Sequence, residues 1–136
     1  MYLYINTSRL NEFDVFLLAE KRIVARHSQK GDYKISETLL KAIAQLIKKQ
    51  KISPSKIKGI IVITGPGAFT SLRIAVAIAN TLAFSWNIPV VGLVNNKNLT
   101  EQQLITLGLS KIKTARKGNF TLPFYDREPN ITKAKS

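Results

Sequence analysis

Apolar residues along this chain recur first with a period of two and then with a period of three to four, which predicts strands followed by alternating helices and strands. Tyr2 to Asn6 reads as a short strand ending in the polar turn residues Asn6, Thr7 and Ser8. Phe13 to Ala19 and Lys21 to Ser28 read as the arms of a hairpin with Glu20 and Lys21 at its tip. On the first arm Phe13, Val15 and Leu17 alternate with Asp14, Phe16 and Leu18. A loop, Gln29 to Ile35, leads to Ser36 as the expected N-cap of a helix running to about Lys49, with Glu37 in the first turn where the helix dipole favours an acid. Leu39, Ile43, Leu46 and Ile47 share one stripe of that helix, and Lys41, Gln45 and Lys48 lie away from it. Ser53 and Pro54 mark a turn or the start of a helical turn. The β-branched run Gly59 to Thr64 predicts a buried strand, Phe69 to Ser85 a long helix, and Pro89 to Leu93 a further strand. Thr100 to Leu107 reads as a short helix with Thr100 as N-cap and Glu101 in its first turn.

The order β, β, β, α, β, α, β predicts an α/β fold with a mixed sheet and flanking helices. This is the ribonuclease-H-like arrangement of the actin and hexokinase superfamily. The second long helix is apolar nearly all round: Ala75, Ala79 and Ala83 are four apart, Ile74, Ile78 and Leu82 form a neighbouring row, and Leu72 with Val76 fills a third. Two surfaces of it want burial. The preceding helix of the same chain covers the second one, or a partner protein does.

At 136 residues the chain has room for one domain. No segment has the pattern of a signal peptide, and the most apolar stretch, Ile74 to Trp86, is interrupted by polar residues and shorter than the about 20 residues of a membrane span. The expectation is a soluble, cytoplasmic protein. Without cysteine, and with His27 as its one histidine, the sequence has no disulfide, no thiolate metal site and no His pair for zinc. His27, with no acid or nucleophile spaced to orient it, reads as a surface or loop residue. The net charge of +13 points to an acidic partner, RNA among the candidates. The lysines are scattered over Lys21 to Lys58 and gathered again at Lys111, Lys113, Arg116 and Lys117, without the interleaved aromatics of a base-stacking platform.

Between strand and long helix stands Gly65-Pro66-Gly67-Ala68-Phe69-Thr70-Ser71-Leu72-Arg73. Amides at such a helix start suit a phosphate, which makes Gly65, Gly67, Thr70 and Arg73 candidate phosphate-binding residues. The turn lacks the Lys-Ser/Thr pair of a P-loop and the third glycine of a dinucleotide fingerprint. The alternative is structural: the glycines permit a sharp turn whose course Pro66 fixes, with Thr70 or Ser71 bonding near the helix start.

The stretch GPGAFTSLRIAVAIANTLAFSWNIPVVGL resembles the signature of the bacterial TsaB (YeaZ) family, typically GPGSFTGLRIGVAxAxGLAxxxxIPVVGV. Tyr4-Ile5-Asn6-Thr7-Ser8 is similar to the family's opening IDTS, Ser36 to Leu40 to its HSExLL, and Leu122 to Pro129 to its PxYxRxP ending. The resemblance implies a non-catalytic partner of a TsaD-like protein in threonylcarbamoyl modification of tRNA adenosine, with a TsaE-like ATPase joining the assembly and tRNA engaged indirectly. It also implies docking through the helices Ser36 to Lys49 and Phe69 to Ser85. The candidate partner-binding residues are then Leu40, Ala44 and Ile47 on the first and Leu72, Ala75, Val76, Ala79 and Ala83 on the second. A homodimer through the same helices is a further expectation. Against the family pattern, Asn6 replaces an Asp, Ile35 a His, and Ser71 and Ala75 glycines. The family's second subdomain is missing between Leu93 and Phe124, so the chain reads as internally shortened: residues 1–95 as the TsaB-like domain, 96–136 as a short connector and basic tail.

Three readings of function follow. The first is an accessory subunit with no catalytic residues, cofactor or metal. The second is a basic tRNA-binding module. The third, a nucleotide-dependent transferase, is disfavoured by the missing carboxylate at Asn6.

Overall fold

The computed structural model describes residues 1–31 and 34–123. Strands β1 (Tyr2–Asn6), β2 (Glu12–Ala19) and β3 (Arg22–Lys30) are followed by helix α1 (Ile35–Lys49) and a 3-10 turn at Pro54–Lys56. Then come β4 (Gly59–Gly65), α2 (Phe69–Trp86), β5 (Val90–Val94) and α3 (Glu101–Ile112). The five strands form one sheet in the order β3-β2-β1-β4-β5. β1 runs antiparallel to β2, opposing Tyr4 to Phe16, and parallel to β4, opposing Leu3 to Ile60. The ribonuclease-H-like arrangement expected from the order of elements is the observed one, with α3 added at its end.

Period-two alternation assigns each strand residue to one of two cores. Leu3, Ile5, Phe13, Val15, Leu17, Ile60 and Val62 face α1 and α2, whereas Tyr4, Phe16, Leu18, Ile61 and Ile63 face α3. Both faces of the sheet are therefore covered, which is why the whole of β4 is buried. Tyr4 and Phe16 stack across β1 and β2 with ring centroids 5.1 Å apart. Full burial of such side chains stabilises by about 1.5–3 kcal/mol each, so the alternation sets the register energetically.

Two helix boundaries differ from expectation. α1 starts at Ile35, with Lys34 as N-cap and no side-chain cap. Ser36, expected in that role, is inside the helix because the apolar Ile35 is drawn into the core as its first residue. α3 runs to Ile112 rather than to Leu107; its N-cap Thr100 is as expected and forms a reciprocal capping box with Gln103. After residue 95 the chain forms α3. Leu104, Ile105, Leu109 and Ile112 of α3 are buried against the sheet, making it part of the same folded body as residues 1–95. The expected resemblance to a PxYxRxP ending falls largely on residues 124–129, outside the described part.

By length and composition α2 is one helix apolar enough to cross a membrane. Its Leu72, Ala75, Val76, Ala79 and Ala83 are packed in the core, which accounts for part of its apolar character.

Candidate functional site

The parallel strands β1, β4 and β5 end at the same edge of the sheet, where a cleft of about 410 Å³ opens. In a sheet of this kind ligands bind outside the carboxyl ends of the strands. Asn6 at the end of β1 accepts hydrogen bonds at Oδ1 from Ser8 N (3.0 Å) and Ser8 Oγ (2.7 Å), which fixes the β1–β2 turn. Asp14 is held from two sides: Arg9 Nη2 donates to its Oδ2 over 2.5 Å and Ser28 Oγ to its Oδ1 over 2.6 Å. Asn95 follows β5; its Oδ1 accepts from Leu99 N over 2.7 Å and bends the chain into α3. Glu101 at the start of α3 completes the polar wall and reaches Arg26 of β3 at 3.6 Å.

Beneath the cleft, Tyr4 Oη and Thr7 Oγ1 are buried oxygens with no hydrogen-bond partner. Burial pushes the Tyr4 hydroxyl's pKa up, and the side chain of Asn6, which approaches without a bond of acceptable geometry, offsets this only in part. Among the described residues there is no group of three potential metal ligands, and no histidine lines the cleft. The arrangement is a hydrogen-bonding cleft in which Arg9 and Ser28 occupy Asp14; it orients no base toward a nucleophile.

The glycine turn is closed from the β1 side. Ala68 N donates to Ser8 O over 2.9 Å, and a Cβ on Gly67, at φ +151°, would sit 2.1 Å from that same oxygen. Gly65 is buried at the end of β4, where its carbonyl accepts from Asn95 N over 2.7 Å. Thr70 is exposed, no side chain caps α2, and the exposed Arg73 places its guanidinium over the Phe69 ring, 5.2 Å from the centroid. Of the four candidate phosphate residues, the two glycines meet Ser8 and Asn95, and Thr70 and Arg73 face outward on α2. The expected bond from Thr70 or Ser71 at the helix start is not made, because the N-cap position is Ala68.

Six of the eight expected partner-binding residues lie inside this chain's own core. Ile47, Leu72, Ala75, Val76, Ala79 and Ala83 are all at most 7% exposed. The reason is steric: the alanine row lets α2 approach β4 closely, so the small residues serve the sheet and the bulkier Ile74, Ile78 and Leu82 are left half-buried beside them. Leu40, 48% exposed, and Ala44, also exposed, remain outside on α1. On α2 the exposed apolar positions are Phe69, Ala77 and Phe84. Leu39, Ile43 and Leu46 belong to the core. His27 stands within β3 opposite Val15, half-buried, stacked on Phe13 and 3.1 Å from Gln29 Oε1 through Nε2.

The cleft residues that pattern reading did not single out as site candidates are Arg9, Asp14, Asn95 and Glu101, which come from four separate segments. Asn95 to Asn98 is a polar cluster suited to a turn, a local signal that says nothing of its convergence with β1.

Residues 29–120 match the family described as TsaD: tRNA N6-adenosine threonylcarbamoyltransferase. The chain belongs to this family, among its TsaB/YeaZ members. It is 30% identical over 112 residues to the tRNA threonylcarbamoyladenosine biosynthesis protein TsaB of Bacillus subtilis, covering 82% of this chain and 49% of that protein. It is 39% identical over 57 residues to the tRNA N6-adenosine threonylcarbamoyltransferase of Geotalea daltonii, covering 42% of this chain and 17% of the relative. Among solved structures, YeaZ from Pseudomonas aeruginosa superposes with a TM-score of 0.62 at 30% identity, over 69% of this chain and 44% of that one. The chain thus spans about half the length of TsaB and YeaZ.

Proposed function

We propose that this TsaB/YeaZ member serves threonylcarbamoyl modification of adenosine in tRNA as a non-catalytic accessory subunit, docking on a TsaD-like partner through the outward face of α1 and α2. The observation that carries the reading is the pair of adjacent helices on one face of the sheet, whose outer surface keeps Leu40, Ala44, Ala77 and Phe84 exposed. The relatives' names supply the pathway. A non-catalytic role is supported by the cleft: Asn6 stands at the end of β1, and Asp14 is engaged by Arg9 and Ser28. A TsaE-like ATPase would join through the TsaD-like partner, and a second copy of this chain would compete for the same face.

The test uses the immobilised full chain and a purified TsaD-like protein. Ala77→Arg and Leu40→Glu, at exposed positions, abolish capture and leave the circular dichroism unchanged. Ala79→Arg, which buries a charge in the core, loses the fold instead. Capture that survives both exposed changes overturns the docking face, and turnover by the chain alone overturns the non-catalytic role.

A further inference from the structure

A second concavity, of about 790 Å³, lies between β3 and the C-terminal half of α1, away from the polar cleft. Its walls carry His27 from β3, Gln45, Lys48 and Lys49 from α1, and Gln50 and Lys51 from the turn that follows. No lining residue is acidic. The ion pairs among the described residues use Arg9 and Arg26, so Lys48, Lys49 and Lys51 carry uncompensated charge. Arg26 also borders the groove, but its guanidinium lies on the other face of the sheet, 4.7 Å over the Phe16 ring. Lys41, exposed one to two turns earlier on α1, continues the positive strip.

Lysines in a last helical turn offset the helix dipole, and this accounts in part for Lys48 and Lys49. It does not account for Lys51 beyond the helix, nor for a groove whose two walls offer cations and neutral donors with no carboxylate between them. The exposed large apolar side chains all lie elsewhere, so the groove has no anchors for a bilayer or for the side chains of a peptide. Ala25 and Leu46 form the groove's apolar floor, and the spaced cations with amide and imidazole donors along its rim are what a chain of phosphates requires.

We infer that the groove between β3 and α1 binds the phosphate backbone of RNA. The choice of RNA among polyanions rests on the proposed role in tRNA modification; the anionic character of the ligand does not. On α1, Gln45 and Lys49 stand on the flank beside β3, and the exposed Leu40 and Ala44 on the opposite flank, so RNA and a protein partner would occupy different sides of one helix.

The experiment measures binding of a fluorescein-labelled tRNA transcript to the full chain at 50 and 200 mM salt. With three phosphates neutralised, affinity falls roughly 40-fold over that range. Lys48→Glu/Lys49→Glu and Lys51→Glu each lower affinity at least about tenfold at low salt and flatten the salt dependence. Lys111→Glu/Lys113→Glu, an equal charge change at the end of α3 on the opposite face, leaves affinity within about twofold. Circular dichroism checks the fold, and Lys→Gln versions serve if charge reversal disturbs it. Equal losses from both pairs of changes, no binding at 50 mM salt, or groove-dependent binding of phosphatidylserine vesicles or poly-glutamate with no binding of tRNA would each overturn the inference. Capture of the TsaD-like protein is read in parallel. Groove variants retain it; an unaltered chain that binds tRNA without capturing the TsaD-like protein sinks the docking proposal alone, and one that captures that protein without binding tRNA sinks the groove alone.

Discussion

Asn80 of α2 holds Thr121 by both of its backbone polar groups: Asn80 Nδ2 donates to Thr121 O over 2.9 Å and Thr121 N donates to Asn80 Oδ1 over 3.0 Å. A side-chain amide here imitates a strand's ladder and draws the segment after α3 back to α2. Thr121 then passes so near β5 that a Cβ on Gly92 would meet its Oγ1 at 2.1 Å. The polar interruption in an otherwise apolar helix is thus a tether. Asn80→Ala removes both bonds and leaves the Thr121 amide and carbonyl without these partners, at a cost of about 1–3 kcal/mol in urea unfolding. Asn80→Asp keeps the acceptor and loses the donor, so its unfolding midpoint falls between the two. An unchanged midpoint in the Ala variant would show that water replaces the amide at no cost.

Helix propensity and packing disagree at Gly108. By propensity alone Gly108→Ala in α3 stabilises by about 1 kcal/mol. The added Cβ, however, meets Ile61 Cγ2 at 2.7 Å and Cδ1 at 2.8 Å. Ile61 is fully buried and β-branched, with little freedom to yield. Overpacking wins, and Gly108→Ala destabilises by a net ~1–3 kcal/mol. Thermal unfolding of the variant checks the sign; a raised midpoint would mean that α3 slides on the sheet.

Gly67→Ala loses on two counts. Its φ of +151° is a conformation L side chains rarely adopt, and the new Cβ would stand 2.1 Å from Ser8 O. The expected cost is at least about 2 kcal/mol, with loss of the Ala68 N to Ser8 O bond that joins the glycine turn to β1. Amide exchange at Ala68 reports the loss directly: it accelerates in the variant, and unchanged protection there counters the prediction.

Tyr4 makes stability depend on alkaline pH. The unfolded tyrosine titrates near 10, and burial raises the folded value above that. The raised group therefore contributes in full below pH 10, and that contribution is lost as pH climbs from there toward the folded value. Because Tyr4 Oη has no hydrogen-bond partner, Tyr4→Phe is neutral or slightly stabilising at pH 7 and removes this part of the alkaline loss. Stability curves at pH 8 and 11 test it; equal alkaline loss in both proteins refutes the assignment to Tyr4.

Much of the architecture was legible in the pattern of residues. Alternation and β-branched runs located all five strands, Glu20 and Lys21 were the hairpin tip, and the β-branched run ending at Gly65 and Gly67 marked the turn into α2. These are local signals, carried by side-chain alternation and backbone freedom within a few residues. Gly108 illustrates the limit. A glycine after Leu107 looks like the end of a helix, and the expected helix stopped there; the real α3 continues to Ile112 because that glycine is where it touches Ile61.

The candidate site was less legible, since it depends on distance in space. Asn6 and Arg9 share a cleft with Asn95 and Glu101, and nothing near any of them in sequence announces the others. By itself the sequence determined the elements, their order, the family and an excess of positive charge. The tertiary structure decided that Ala75, Ala79 and Ala83 close on β4 and leave other residues outside, and that Lys48, Lys49 and Lys51 border a groove with β3. The physical reason is that an α-helix apolar on several sides has several energetically acceptable rotations, and only the shape of the sheet it meets selects one.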